Sequence, residues 1–244
     1  MESSEDRFLD GRILARQPLD GFRAGIDAVM LAAAVPASSL DELLELGSGA
    51  GIASLCVASR VPDCSICGVE IASGLVELAR ANACANHMEQ RLSFQCADVL
   101  NPEADLRRGF DHVFCNPPFH GKNEKASPDE ARARALRDDG RLGEWLAAGT
   151  NRTKAGGTFT AIIRTDRLGE VLRGLPTRGV AIFPLWPRAG DVAKRAIVQL
   201  HKNSRAPLTL HAGLVLHERD GRYTDNAEAV LRRAGSLALA SPRL

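Results

Sequence analysis

Short runs of Val, Ile and Leu alternate with segments of helical periodicity along most of the chain. The runs at 41–46, 65–70, 92–96 and 111–115 are five or six residues long, which is the usual length of a buried strand. Between and after them, apolar residues recur every three or four positions, which predicts helices. Strands that alternate with helices are typical of βαβ units, so the pattern predicts a mostly parallel sheet covered by helices.

The same alternation continues to the C-terminus and completes the predicted architecture. Further strands are expected at 158–164, 180–183 and 193–201, with one more candidate at 208–217, and helices at 28–35, 52–59, 73–86, 142–153, 167–175 and 225–233. We therefore predict an α/β fold, a doubly wound, mostly parallel seven-stranded sheet of Rossmann-like type with short N-terminal and C-terminal additions. Asp27 is expected to cap the first helix. No linker divides the chain, so we predict a single domain over 1–244, with an extension at 1–38 and a core at 39–244.

The composition supports a globular protein and excludes several other classes. Of the 244 residues, 45% are hydrophobic and 25% are charged, which excludes disordered and collagen-like chains. The longest apolar stretch, 28–36, is about half of the roughly 20 residues that cross a bilayer, so we expect a cytoplasmic protein without a membrane segment. The six cysteines are too few for a disulfide scaffold and are expected to be mostly core residues. Cys64 and Cys67 have zinc-site spacing but no second pair, so we expect no metal site.

Charge is distributed unevenly along the chain. Residues 1–150 contain 15 Lys and Arg against 23 Asp and Glu, whereas residues 151–244 contain 16 against 7. A basic segment can bind a polyanion such as RNA, although solvated surface charge explains the same skew. The basic residues that could contact phosphates, with Trp186 and His201 between them, are Arg188, Lys194, Arg195, Lys202 and Arg205.

A glycine-rich turn follows the strand at 41–46. Gly47, Gly49 and Gly51 stand at alternate positions, where the absence of Cβ atoms lets backbone N–H groups and a helix N-terminus approach a ligand. The dinucleotide fingerprint has its third glycine one position later, so this spacing resembles an S-adenosylmethionine motif more than an NAD motif. A tight turn without a ligand remains the alternative interpretation.

Two acidic residues follow the next two strands. Glu70 ends the strand at 65–70, where a carboxylate could accept hydrogen bonds from both hydroxyls of a ribose. Asp98 follows the strand at 92–96 and could accept one from an adenine amino group. Each has an ordinary alternative, as a strand end or a turn residue. Together with the glycine turn they predict a nucleoside site beyond the carboxyl ends of the strands.

The strand at 111–115 ends in Asn116, Pro117, Pro118 and Phe119. Two consecutive prolines fix the backbone and remove two N–H donors, so the carbonyl groups are presented rigidly. The Asn116 side-chain oxygen and the Pro117 carbonyl can both accept hydrogen bonds from one planar NH2 group, and Phe119 offers a face for stacking. This corner predicts methyl transfer to a conjugated amine by positioning and fixed dipoles, without a strong base. A rigid turn after a buried strand is the alternative interpretation. The polar segment 120–140 is interpreted as a lid.

With both motifs, the chain resembles the class I S-adenosylmethionine-dependent methyltransferases that carry an Asn-Pro-Pro-aromatic motif. The segments 21–31, 184–190 and 223–225 are similar to the bacterial tRNA1(Val) adenine N6-methyltransferase family, so the resemblance spans nearly the whole chain. It implies S-adenosyl-L-methionine as the cofactor and a tRNA or another structured RNA as the partner.

The resemblance also implies a role for each matched residue. Gly47, Gly49 and Gly51 would border the methionine part of the cofactor with Glu45 nearby, Glu70 would hold the ribose, and Asp98 the adenine amino group. Asn116 to Phe119 would hold the target amine, with Asn116 also beside the cofactor. Gly25 and Asp27, in a helix of the 1–38 extension, would close over the cofactor.

The identity of the methyl acceptor stays open at this point. Phe119 stands where the family frequently has Tyr, and with His120 it gives an Asn-Pro-Pro-Phe-His sequence that also resembles the ribosomal RNA guanine N2-methyltransferases. A protein glutamine side chain would satisfy the same two acceptors. A binding module that keeps the fold without the chemistry is the alternative of another class. The adenine N6 amine of a tRNA is the favoured acceptor.

Overall fold

A computed structural model of the chain describes residues 2–101, 106, 108–118 and 141–239. Its strands are β1 (Ser3–Phe8), β2 (Ile13–Pro18), β3 (Glu42–Leu46), β4 (Ser65–Glu70), β5 (Leu92–Cys96), β6 (Phe110–Cys115), β7 (Thr153–Arg164), β8 (Val180–Trp186), β9 (Arg195–His201), β10 (Thr209–Leu210) and β11 (Leu214–Val215). Its helices are α1 (Ile26–Ala34), α2 (Ile52–Arg60), α3 (Ser73–Ala85), α4 (Leu142–Arg152), α5 (Leu168–Gly174) and α6 (Asp225–Leu231), with a 3-10 turn at Thr165–Arg167. None of the helices in these ranges is long and apolar enough to cross a membrane.

The central sheet confirms the predicted mostly parallel α/β fold. Its order is β10-β8-β9-β7-β6-β3-β4-β5, and β11 also pairs with β8. Every pair is parallel except those of β9, which runs antiparallel to both β7 and β8. Seven of these strands have five or more residues, and the candidate strand at 208–217 is instead the two short strands β10 and β11.

Helices cover both faces of this sheet. Leu43 packs in the core cluster that contains residues of α1, α2 and α3, whereas its neighbour Leu44 packs in the cluster that contains residues of α4 and α5. Val113 and Phe114 on β6 divide in the same way. Because successive strand residues point to opposite faces, each fully buried strand contributes to both cores, which explains the continuous apolar runs in the sequence.

The N-terminal segment contains a β-hairpin that the apolar pattern did not indicate. β1 and β2 pair antiparallel, and residues 9–11 at the turn all have positive φ. The hairpin packs against α3, where the Asn82 and Asn86 side chains form hydrogen bonds to the main chain of Arg16 and Leu14. Its contribution to the core is small, with Ile13 and Ala15 buried at alternate positions of β2. The alternating segment is therefore too short to be recognised as a strand in the sequence.

One smaller expectation, the cap of the first helix, is wrong. Asp27 does not cap α1, because the helix begins at Ile26 with Gly25 in the N-cap position and no side-chain cap. Asp27 instead lies in the first turn and forms an ion pair with Arg195, at 2.9 Å between Oδ2 and Nε. Most of the six cysteines are in the core as expected, since three are buried and Cys67 packs against a core cluster, while Cys84 and Cys96 are exposed.

Candidate active site

The glycine turn connects β3 to α2 and lies at the carboxyl edge of the sheet. Gly47, Gly49 and Gly51 have φ values of 69°, 53° and 82°, which side chains rarely adopt. The N–H groups of Gly47 and Ser48 both donate to the Val69 carbonyl, at 2.8 and 3.0 Å. The turn is therefore held against the end of β4, with glycine required by the backbone itself.

Glu70 lies directly beside this turn. Its carboxylate accepts hydrogen bonds from the Gly49 N–H at 3.0 Å and from the Ala72 N–H at 2.9 Å. A carboxylate has about four lone-pair positions, so two further donors can bind to the same group. The structure thus brings together the glycines and the acidic residue that the sequence placed at one edge.

Glu45 is buried beneath the turn, with 4% of its surface exposed. One carboxylate oxygen accepts from the Ser54 backbone N–H at 3.1 Å and from the Ser54 hydroxyl. Ser54 is the third residue of α2, whose N-cap Gly51 has no side chain, so Glu45 takes over the capping of this helix. Burial raises the pKa of Glu45 to about 8, the Ser54 hydrogen bonds oppose that rise, and the charge of Glu70 adds to it.

Asp98 is held in a local turn after β5. Its Oδ1 accepts from the Leu100 N–H at 2.8 Å, which is an Asx-type turn. The turn role expected as the ordinary alternative is therefore present, and it occupies one oxygen of the carboxylate.

Asn116 lies next to the glycine turn. β3 and β6 pair in parallel with Leu46 opposite Cys115, so Gly47 and Asn116 are the next residues on adjacent strands. Pro117 is buried, and the Asn116 Oδ1 is buried without a hydrogen bond from any described residue. Leaving a buried acceptor unpaired costs about 1–3 kcal/mol, so this oxygen is suited to a donor that a ligand brings. Phe119 and the expected lid at 120–140 lie outside the described residues.

Comparisons with known proteins agree with this geometry. The Methyltransferase small domain family matches residues 24–143. The tRNA1(Val) (adenine(37)-N6)-methyltransferase of Aeromonas hydrophila is 28% identical over 208 residues, covering 83% of this chain and 86% of its own. The enzyme of the same name from Vibrio parahaemolyticus is 35% identical over 119 residues, covering 49% and 48%.

The solved structures point to the same class. The crystal structure of "a predicted O-methyltransferase" from Agrobacterium tumefaciens superposes with a TM-score of 0.72 and 25% identity, over 87% of this chain and 98% of its own. This chain is a class I S-adenosylmethionine-dependent methyltransferase. It resembles the tRNA1(Val) adenine N6-methyltransferases, and S-adenosylmethionine is its cofactor. A precorrin-6y methyltransferase from Geobacter metallireducens, at 14% identity and a TM-score of 0.53, shares the fold.

The residues at the edge of the sheet fit this cofactor. The positive-φ glycines expose main chain without Cβ atoms, a carboxylate with free lone pairs adjoins them, and a buried amide oxygen beside them has no described partner. A ligand that carries hydroxyl donors and a positive charge complements these groups.

Gly25 and Asp27 lie at the N-terminus of α1. Their described contacts go to α1 and β9, through the bond from the Ala28 N–H to the Gly25 carbonyl and through the Asp27–Arg195 ion pair. The structure therefore does not join them to the glycine turn by a described hydrogen bond or ion pair.

Trp145 lies against the glycine turn, and the sequence did not single it out. It lies in the first turn of α4, and a Cβ added to Gly47 would stand 2.9 Å from its Cη2. The indole therefore covers the first glycine of the turn. Nearly one hundred residues separate the two positions in the sequence, and no spacing rule connects them.

Asn82 is a second residue that was missed. Its Nδ2 donates to the Ala50 carbonyl of the glycine turn and to the Arg16 carbonyl of β2, both at 2.9 Å, and its Oδ1 accepts from the Arg16 N–H at 2.8 Å. It is 2% exposed. The available signal was an asparagine within the apolar stripe of α3, next to the buried Ala79 and Ala83.

Proposed function

We propose that this methyltransferase acts on the exocyclic N6 amine of an adenine in a tRNA. The observation that carries the proposal is the buried Asn116 oxygen beside the glycine turn, which accepts no hydrogen bond from the described part of the chain and lies at a corner fixed by two prolines. The name shared by the curated relatives supports adenine in tRNA as the acceptor. We further propose one domain over 1–244 acting in the cytoplasm.

The proposed chemistry depends on orienting a weak nucleophile. The lone pair of an exocyclic amine is delocalised into its ring, and two acceptors that bind its two N–H groups can hold the nitrogen with that lone pair turned out of the plane. Asn116 Oδ1 and the Pro117 carbonyl supply these acceptors, and Phe119 supplies a stacking face for the base. When bound, the cofactor supplies an electrophilic methyl group. Preorganised dipoles then favour the transition state, in which positive charge develops on the amine.

The remaining residues are proposed to hold the cofactor. Gly47, Gly49 and Gly51 border its methionine part, and Glu70 accepts from the ribose hydroxyls with the lone pairs left by its two backbone donors. Asp98 accepts from the adenine amino group. Glu45 supports the turn from below by capping α2. Gly25 and Asp27 close over the cofactor from the N-terminal extension.

The test is to identify the methylated product. The wild-type protein is incubated with labelled S-adenosylmethionine in three separate reactions. The first contains unmodified total tRNA, the second ribosomal RNA, and the third a release-factor protein that carries a glutamine acceptor. We expect label in N6-methyladenosine from tRNA, lost in Asn116→Ala and kept in Asn151→Ala, a matched change at an exposed position of α4. Label only in guanosine of ribosomal RNA, only in protein, or in none of the three would contradict the proposal.

A further inference from the structure

The carboxyl edge of the sheet continues past Asn116 to the loop between β8 and β9. Going outward from β6, the strands are β7, β9 and β8. Arg195 at the start of β9 stands opposite Arg164 near the end of β7 and opposite Leu185 near the end of β8. Two strand spacings, roughly 10 Å, separate β6 from β9. The β8–β9 loop, residues 187–194, is therefore a near neighbour of the Asn116 corner.

The basic stretch identified in the sequence is divided by β9 into two sites. The seven residues of β9 span about 20 Å, which places Lys202 and Arg205 at the opposite edge of the sheet from Lys194. Lys202 has a structural role there, since its Nζ donates to the carbonyls of Thr150 and Thr153 at 2.8 and 2.6 Å, at the end of α4. Only the part of the stretch before β9 can contact a substrate at the active-site edge.

Most arginines at this edge already form ion pairs. Arg164 pairs with Asp166 at 2.6 Å, Arg167 with Glu170 at 2.6 Å, and Arg195 with Asp27 at 2.9 Å. Such pairs largely cancel the field of the cation for a ligand outside. These arginines therefore stabilise the structure of this edge, and their charges are not available to a ligand.

Arg188 and Lys194 differ from these arginines. Both are exposed, and neither side chain forms an ion pair or hydrogen bond within the described ranges. Their backbone is anchored all the same, because the Lys194 carbonyl accepts from the Thr165 N–H at 3.2 Å and the Arg188 carbonyl accepts from the Asp191 N–H at 3.1 Å. The Thr165 hydroxyl also donates to the Ala193 carbonyl at 2.6 Å. The loop thus presents two free cations from a fixed backbone.

We infer that the β8–β9 loop binds phosphates of the RNA substrate through Arg188 and Lys194. The inference rests on the proposed function and adds the surface that holds the RNA. A base that enters the Asn116 corner must leave its stack, at a cost of a few kcal/mol, and phosphate contacts beside the corner offset that cost. Lys and Arg contacts to phosphates supply such affinity without reading the sequence.

The test compares two double variants that each remove two cations. Arg188→Ala/Lys194→Ala changes the loop, and Arg178→Ala/Arg205→Ala removes two exposed arginines from the opposite edge. Binding of an unmodified tRNA transcript is measured by fluorescence anisotropy between 50 and 200 mM KCl. Affinity for S-adenosylhomocysteine is measured by calorimetry as a check on the cofactor site, together with kcat and KM for tRNA.

We expect the loop variant to bind tRNA at least tenfold more weakly, with the slope of log affinity against log salt reduced by roughly 1.5 for two lost phosphate contacts. Its kcat at saturating tRNA and its affinity for S-adenosylhomocysteine should stay within twofold of wild type, and the opposite-edge variant should match wild type throughout. Equal tRNA affinity of the two variants would overturn the inference. If the wild type methylates tRNA in the same experiment, the proposed function is nevertheless upheld. If the wild type methylates no RNA but the loop variant still loses tRNA binding, the proposed function is overturned and the inferred RNA-binding surface is supported.

Discussion

At the scale of single residues, Glu45 links the charge state of the site to the stability of the fold. Burial raises its pKa to about 8 from an ordinary value of 4.5. Between these two values the folded protein binds a proton that the unfolded chain has released. The contribution of Glu45 to the free energy of unfolding is therefore complete below about pH 4.5 and is lost as pH rises towards 8.

Replacing Glu45 by Gln should remove this pH dependence. The amide keeps an oxygen that can accept from Ser54 and never ionises, so we expect thermal unfolding of Glu45→Gln to vary less between pH 5 and 8.5. At pH 8.5 its Tm should exceed that of wild type by on the order of 5 °C. Scanning calorimetry across this range is the measurement, with Glu77→Gln on the exposed side of α3 as control. Parallel curves for wild type and Glu45→Gln would show that the carboxyl group is not buried in this way.

Trp145 gives a spectroscopic signal for the cofactor site. The chain has two tryptophans, and only Trp145 covers Gly47, whereas the Trp186 indole donates to the Ala212 carbonyl. We expect S-adenosylhomocysteine to change the fluorescence of wild type and of Trp186→Phe, and to leave that of Trp145→Phe unchanged. A response that disappears with Trp186 instead would place the cofactor away from the glycine turn.

At the scale of elements, Asn82 connects the N-terminal hairpin to the glycine turn. The Asn82 side chain binds the main chain of both β2 and Ala50. The Asn86 side chain, one helical turn later, binds Leu14 of the hairpin and, among the described residues, no other group outside α3. The hairpin is therefore linked to the glycine turn through the Asn82 side chain. Comparing variants at Asn82 and Asn86 separates the effect of this link from the effect of the hairpin packing on α3.

Asn82→Ala should cost about 2–3 kcal/mol of stability, since it leaves the buried Ala50 carbonyl and the partly buried main chain of Arg16 without this partner, and should weaken the binding of S-adenosylhomocysteine by roughly tenfold. Asn86→Ala should lower stability less, because its bonds to Leu14 are exposed, and should leave cofactor binding unchanged. Chemical unfolding and calorimetry measure both quantities. Equal effects of the two variants on cofactor affinity would contradict the connection.

At the scale of the whole molecule, local sequence patterns predicted the sheet and part of the site. The apolar runs located the parallel strands because those strands are buried on both faces, and the glycines, Glu70 and Asn116 met at one edge because parallel strands end there. The N-terminal hairpin was not predicted, because it buries only a few side chains, at alternate positions.

Other features depend on contacts that no local pattern encodes. Trp145 meets Gly47 only after the sheet forms, and Asp27 leaves its expected cap to pair with Arg195, which is 168 residues away. The basic residues that are close together in the sequence lie at two opposite edges of the sheet, because β9 runs between them. Each of these is a consequence of the topology, so it follows from the fold and not from spacing.

The central claim is that the Asn116 corner orients the amine that receives the methyl group. The most direct measurement is the single-turnover rate of N6-methyladenosine formation in tRNA by wild type and Asn116→Ala, with cofactor saturating and enzyme in saturating excess over tRNA. Removing a preorganised group of this kind typically lowers the rate by about 10²–10³-fold, and we predict a fall of that size with a much smaller loss of S-adenosylhomocysteine affinity. A variant that methylates tRNA within threefold of the wild-type rate would contradict the account.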